Sequence, residues 1–171
     1  TPFGKIKRAD DLYEKLKEKF TLTCREQAHS EHSTEVQFPF IKHYLSDANI
    51  LEIVYSNESS ENISNIIDFI LEQEACGVII STDLSHFYNL EDANTLDNIC
   101  LEAVDKLDIN KLRNGCEACG ILGVEAMIMS AKKLGLNSHI LDYRTSADAS
   151  EDSSNVVGYM SAYFEYLERK L

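Results

Sequence analysis

Ile50-Leu51-Glu52-Ile53-Val54-Tyr55 opens the stretch that decides the fold, and Gly77-Val78-Ile79-Ile80-Ser81 closes it. Both runs are rich in β-branched residues, which suit an extended, pleated chain. Between them Ile63, Ile66, Ile67, Ile70 and Leu71 recur at the spacing of one helical face. The turn-like residues 57–60 offer that helix an N-cap. Strand, helix and strand within roughly 30 residues make a βαβ unit, which predicts two parallel strands with a right-handed crossover.

The periodicity continues on both sides. Leu12, Leu16 and Phe20 fall four residues apart among Lys and Glu, as in a short amphipathic helix. Residues 24–30 are polar and predict a loop. Residues 31–45 have mixed helical spacing, and Pro39 would kink that helix or start a new one. Leu96, Ile99, Cys100, Ala103, Val104 and Leu107 share a second apolar face, and Asp108 can cap a short helix through Leu112. Residues 118–134 are apolar nearly all round, which predicts a buried helix that Gly135 ends. Residues 139–144 and 156–164 read as strands joined by a polar stretch, and the second is apolar on both faces, so it belongs at the centre of a sheet. The predicted class is α/β, with a mixed, largely parallel central sheet and helices on both faces, in one domain over residues 1–171.

The chain has 171 residues, 44% of them hydrophobic, with 2 Pro and 7 Gly, which suits a compact domain rather than a linker. Its net charge is −13, although basic residues outnumber acidic ones over the first twenty positions. Such a surface repels phosphate backbones and anionic lipid, which argues against nucleic acid and membrane partners. No apolar run approaches the ~20 residues of a membrane span. Thr1-Pro2-Phe3-Gly4 leads into no apolar signal segment, so a cytoplasmic location is expected. The five cysteines, Cys24, Cys76, Cys100, Cys116 and Cys119, are odd in number and lack a framework spacing, which predicts reduced thiols.

Three segments carry candidate chemistry. Ser81-Thr82-Asp83-Leu84-Ser85-His86-Phe87 leaves the C-terminal end of the second predicted strand, where open α/β sheets bind ligands. Asp83 could set the His86 tautomer, leaving His86 as a general base or donor. The plainer alternative is a capping Asp and a His satisfied by backbone groups. Cys116-Glu117-Ala118-Cys119-Gly120 meets the start of the buried helix, whose positive end favours a thiolate. A thiolate there could ligate a soft or borderline metal, the Cys-x-x-Cys pair could act as a redox dithiol, or both cysteines could be inert core residues. Glu31, His32 and Glu35 crowd one helical turn, but this is not His-Glu-x-x-His, so a metalloprotease is excluded and a solvated helix start is the alternative. No nucleotide-binding glycine loop or nucleophile elbow occurs.

Taken in order, Glu31-His32-Ser33-x-Glu35-x-Gln37-x-Pro39, Ser81-x-Asp83-Leu84-Ser85-His86, Ala118-Cys119-Gly120, Tyr143-x-x-Ser146 and Val156-Val157-Gly158-Tyr159 resemble the Memo family, called AmmeMemoRadiSam system protein B in prokaryotes. The family in turn resembles class III extradiol dioxygenases, non-haem iron enzymes. The resemblance implies that Cys119 is a metal ligand and that His86, supported by Asp83, holds the acid/base position. It implies a cleft lined by Glu31, His32, Ser85, Tyr143 and Ser146, and iron or copper in the full-length protein but none in this chain alone. The family's two ligand histidines lie in Pro-His-Ala-Gly and Pro-Ser-His-His motifs, and neither motif occurs here. This chain is therefore expected to be the C-terminal portion of a Memo-like domain, with an open sheet edge through which it could self-associate. In the family Cys replaces the carboxylate of the dioxygenase triad, so ring cleavage does not follow from the resemblance. A small molecule or a peptide is the expected ligand. The alternative is a non-enzymatic adaptor taking an acidic or phosphorylated peptide, for which Arg144 is one of few positive groups. A weaker alternative is a Cys116–Cys119 dithiol.

Overall fold

The computed structural model describes residues 1–23 and 32–166. These fall into two compact units, Thr1–Asn57 and Glu58–Leu171. The predicted loop at residues 24–30, Cys24 and Glu31 lie outside the described residues.

In the first unit, β1 (Lys7–Arg8) pairs in parallel with β2 (Asn49–Ile50), Lys7 opposite Asn49 and Arg8 opposite Ile50. The Ala9 amide donates to the Ile50 carbonyl at 2.9 Å. Helix α1 (Asp10–Lys19) carries Asp10 and Asp11 in its first turn and Lys17 and Lys19 in its last. This is the charge order that the helix dipole favours. Leu16, from its predicted apolar face, is fully buried. Helices α2 (His32–Glu35) and α3 (Phe38–Tyr44) replace the single mixed helix, and Pro39 stands in the first turn of α3. There its missing N–H breaks no helical bond, so the proline starts a helix.

In the second unit, α4 (Ser60–Leu71) begins where the Ser59 side chain accepts from the Asn62 amide at 3.1 Å. Its stripe buries Ile63, Ile67 and Ile70. It packs on α7 (Ile121–Leu134), where Ser64 meets Ser130 at 3.0 Å and Lys133 reaches Asp68 at 2.6 Å. Helix α5 (Leu90–Asp105) is capped by Asn89, and α6 (Ile109–Arg113) by Asp108, as its sequence predicts. Gly135 ends α7 at φ +70, a left-handed position that glycine adopts without steric cost. Strands β3 (His86–Tyr88), β4 (Leu136–Thr145) and β5 (Val156–Tyr166) form an antiparallel sheet in the order β3-β5-β4. The expected central place of the last strand is thus observed. A short helix, α8 (Ala147–Ser150), interrupts the polar stretch read as a plain connection. The core of this unit gathers Leu84, Cys100, Val104, Leu112, Val124 and Ile128.

The α/β class holds, but the sheets are only partly parallel. The predicted βαβ pairing is not formed: β2 stops at Ile50, and residues 77–81 belong to neither sheet. Val54 is 38% and Ile79 61% exposed. β-branched content favours an extended backbone, but a strand also needs a neighbour to pair with and a layer to cover it. Ile80 does pack against the core, but among the described residues neither run finds a strand to pair with.

The cysteine expectation is corrected as well. Cys100 of α5 and Cys116 form a disulfide with their Cα atoms 4.8 Å apart. The Cys116–Cys119 dithiol therefore does not form, and Cys116 is a buried structural cysteine. The cause is tertiary: Cys100 lies on the core face of α5, where the chain returning from α6 brings Cys116 beside it. Cys76 and Cys119 are free, and Cys119 is exposed.

Candidate functional site

Two of the three predicted segments meet. Thr82 Oγ1 lies 3.2 Å from the Cys119 sulfur and accepts from the Gly120 amide at 2.7 Å. The Cys119 amide donates to the Asp83 carbonyl at 3.3 Å. The chain entering α7 is thereby tied to the chain entering β3, and an exposed thiol is held beside Asp83. The neighbouring Glu117 hydrogen-bonds the phenol of Tyr88 in β3, and its charge adds to that bond in pushing the Tyr88 pKa up.

His86 stands at the start of β3 with its Nε2 3.4 Å from Asp83 Oδ2. Asp83 is thus close enough to set the His86 tautomer. The ring is partly covered and Asp83 about half exposed, so this carboxylate–imidazole pair is open to solvent. The next residue, Phe87, has φ +66 and is 82% exposed. A bulky residue in the left-handed region is strained. The β3–β5 register shifts between His86 and Tyr88, and such bulges re-aim the side chains beside them.

Behind this edge lies a buried polar centre. Asp97 of α5 is fully buried and accepts from the Ser85 amide at 2.9 Å and from the Tyr143 hydroxyl at 2.7 Å. The Tyr143 hydroxyl also lies 3.0 Å from Asn94 Oδ1. Burial, then the hydrogen bond and charge of Asp97, push the Tyr143 pKa well above that of a free phenol. Gly158 of β5 completes the centre: a Cβ there would stand 1.8 Å from Asp97 Oδ2. Its amide donates to the Ser85 carbonyl at 3.0 Å, and its carbonyl accepts from Leu84 at 2.9 Å. Asp97 thus holds the backbone between Asp83 and His86 in place from inside.

The remaining predicted site residues are distributed differently. Ser85 is fully buried, and its hydroxyl has no hydrogen-bond partner among the described residues. Ser146 accepts from the Val157 amide at 3.1 Å and so anchors β5. His32 is exposed on α2 in the first unit, 3.5 Å from Glu35. Arg144 is held by Asp142 at 3.0 Å, with Asp148 at 3.9 Å, so its charge is already matched.

Reading the sequence missed Thr82 and Asp97 as residues of this site. Thr82 carried no signal beyond its place in the segment. Asp97 did carry one: it sits among Ala93, Cys100 and Val104 on the apolar face of α5, where a carboxylate stays only if it is hydrogen-bonded. Among the described residues no three His, Cys, Asp or Glu side chains gather to hold a metal ion. One sulfur, with an imidazole already facing a carboxylate, is too small a donor set for iron or copper. No helix among the described residues is long and apolar enough to cross a membrane.

Residues 1–163 match the family model described as Memo-like protein. A MEMO1 family protein of Methanobrevibacter smithii is 36% identical over 146 residues, covering 79% of this chain and 52% of the relative. One from Aquifex aeolicus is 32% identical over 175 residues, covering 96% and 66%. One from Sulfolobus acidocaldarius is 33% identical over 178 residues, covering 96% and 62%. The chain thus spans about half to two thirds of the length of these curated relatives.

Proposed function

The chain belongs to the Memo-like family, and from that premise we propose that residues 81–86 and 116–120 form one wall of a metal-site-like, ligand-binding cleft. The observation that carries the reading is the junction at Thr82, which keeps the Cys119 sulfur exposed while fixing its backbone to Asp83. Cys119 offers a sulfur ligand. His86, paired with Asp83, offers a site where a proton can be taken or given. Iron or copper is proposed for the whole protein only, because ligands beyond the described residues are required. The substrate class that fits this wall is a small molecule or a peptide end that reaches an open edge. Arg144 is already engaged by Asp142 and Asp148, which disfavours an acidic or phosphorylated peptide as the ligand.

The test uses the full-length protein. Bound iron and copper are measured after purification for wild type, Cys119→Ala and His86→Ala, with circular dichroism as the check on folding. Loss of metal from Cys119→Ala alone supports the assignment of ligand and proton-handling residue. Equal occupancy in all three removes Cys119 from the ligand set. A cytoplasmic setting is part of the proposal, and separating the soluble, membrane and secreted fractions of cells that express the full-length protein tests it.

A further inference from the structure

We propose that Lys5, Lys7 and Lys42 form an anion site in the first unit that takes the phosphate group of a small free molecule. The site is independent of the cleft described above. The three lysines line one pocket of about 170 Å³, together with Ser46, Asp47 and Asn49. Lys7 stands on β1 directly opposite Asn49 of β2, so the parallel pairing itself sets a cation beside an amide. Lys42 comes from the last turn of α3, where its ammonium donates to the Ser46 carbonyl at 2.6 Å. That bond holds it at the pocket and leaves its charge uncompensated.

The ordinary reading of such lysines is a solvated surface. Two observations argue for more. The chain carries 29 Asp and Glu against 16 Lys and Arg, so a carboxylate partner is easy to find on its surface. Yet among the described residues Lys5 and Lys7 have no ion pair, and Asp47, the one carboxylate on the pocket wall, forms none with any of the three. Like charges brought into one concavity repel, and a bound anion reverses the sign of that interaction. Three ammonium groups against one carboxylate leave a charge that a phosphate dianion matches. Lysine binds phosphate as a point charge with rotatable donors, while the Asn49 amide can donate as well. The space is well below the roughly 300 Å³ at which pockets for drug-sized ligands begin, so it suits one anionic group rather than a whole large molecule.

The experiment titrates full-length protein with inorganic phosphate at constant ionic strength, set with chloride, and follows backbone amide shifts by NMR. A parallel titration uses glycerol phosphate. Saturable shifts confined to residues 4–8 and 42–49 are expected. Lys5→Gln and Lys7→Gln should each weaken binding roughly two- to five-fold, the size expected for one exposed charge, while Lys132→Gln on α7 changes nothing. Tighter binding of the ester than of free phosphate identifies a phosphorylated small molecule as the ligand. Tighter binding of free phosphate contradicts that choice of source. Unsaturable shifts, shifts spread over the surface, or affinities unchanged in both lysine variants overturn the site.

Discussion

Thr82 Oγ1 stands 3.2 Å from the sulfur of Cys119 while accepting a 2.7 Å hydrogen bond from the next amide, that of Gly120. One hydroxyl therefore holds both the side chain and the backbone at the entry to α7. Thr82→Val keeps the shape and removes the acceptor, leaving the Gly120 amide unpaired. It should lower stability by about 1–2 kcal/mol, and Thr82→Ser should recover most of the loss. Urea denaturation midpoints decide this, and a Val variant as stable as wild type would show that the junction has no energetic role.

The contact between Gly158 and Asp97 leaves no room for a methyl group. Asp97 cannot retreat without giving up the Ser85 amide and the Tyr143 hydroxyl. Gly158→Ala should cost about 1–3 kcal/mol through overpacking. Asp97→Ala should cost a similar amount by leaving both donors unpaired. In the double variant the clash has gone, so its loss should fall well short of the sum of the two. Strict additivity in thermal or denaturant unfolding would refute the coupling.

The Cys100–Cys116 bridge encloses α6 and constrains a separation of 16 residues. Chain-entropy arguments assign about 3 kcal/mol to a loop of that size. Oxidised protein should melt at a higher temperature than protein held in excess dithiol, and Cys116→Ser should erase the difference. Alkylation of the native oxidised protein, read by peptide mass spectrometry, should modify Cys119 and Cys76 and spare Cys100 and Cys116. Labelling of all four would mean that the bridge does not form.

Glu125 of α7 is buried, 2.5 Å from Arg113 and 2.8 Å from Ser60. The hydrogen bond from Arg113 comes first in holding its carboxyl below the ordinary value of 4.5, and burial works in the opposite direction. A carboxyl with a depressed folded-state pKa binds its proton less readily when folded than when unfolded. Its contribution is therefore fully present above about pH 4.5 and lost as pH falls through the folded value beneath it. Glu125→Gln should lower the melting temperature at pH 7 and make the decline below pH 4.5 shallower. Parallel melting curves down to pH 3 would exclude Glu125 from the acid response.

Local chemistry was legible in the sequence. The stripe of α4, the caps at Ser59 and Asp108 and the stop at Gly135 depend on residues within a few positions of one another and stand as the sequence predicts, and of the two outcomes open at Pro39, a kink or a new helix, the new helix is observed. The ordered motifs pointed to the family, and the segment from Ser81 to Phe87 offered Asp83 as a partner for His86, which the structure sets 3.4 Å away. Tertiary structure decided the rest, because long-range pairing is a competition among partners that no local pattern records. Residues 51–55 and 77–81 look like strands, yet they lie in neither sheet. Cys116 is three residues from Cys119 and bonds instead to Cys100, since the fold, not the spacing, brings sulfurs within reach. Only the folded chain sets Asp97 behind Ser85 and Thr82 against Cys119, and with those two contacts a pair of separate motifs becomes one edge of the proposed site.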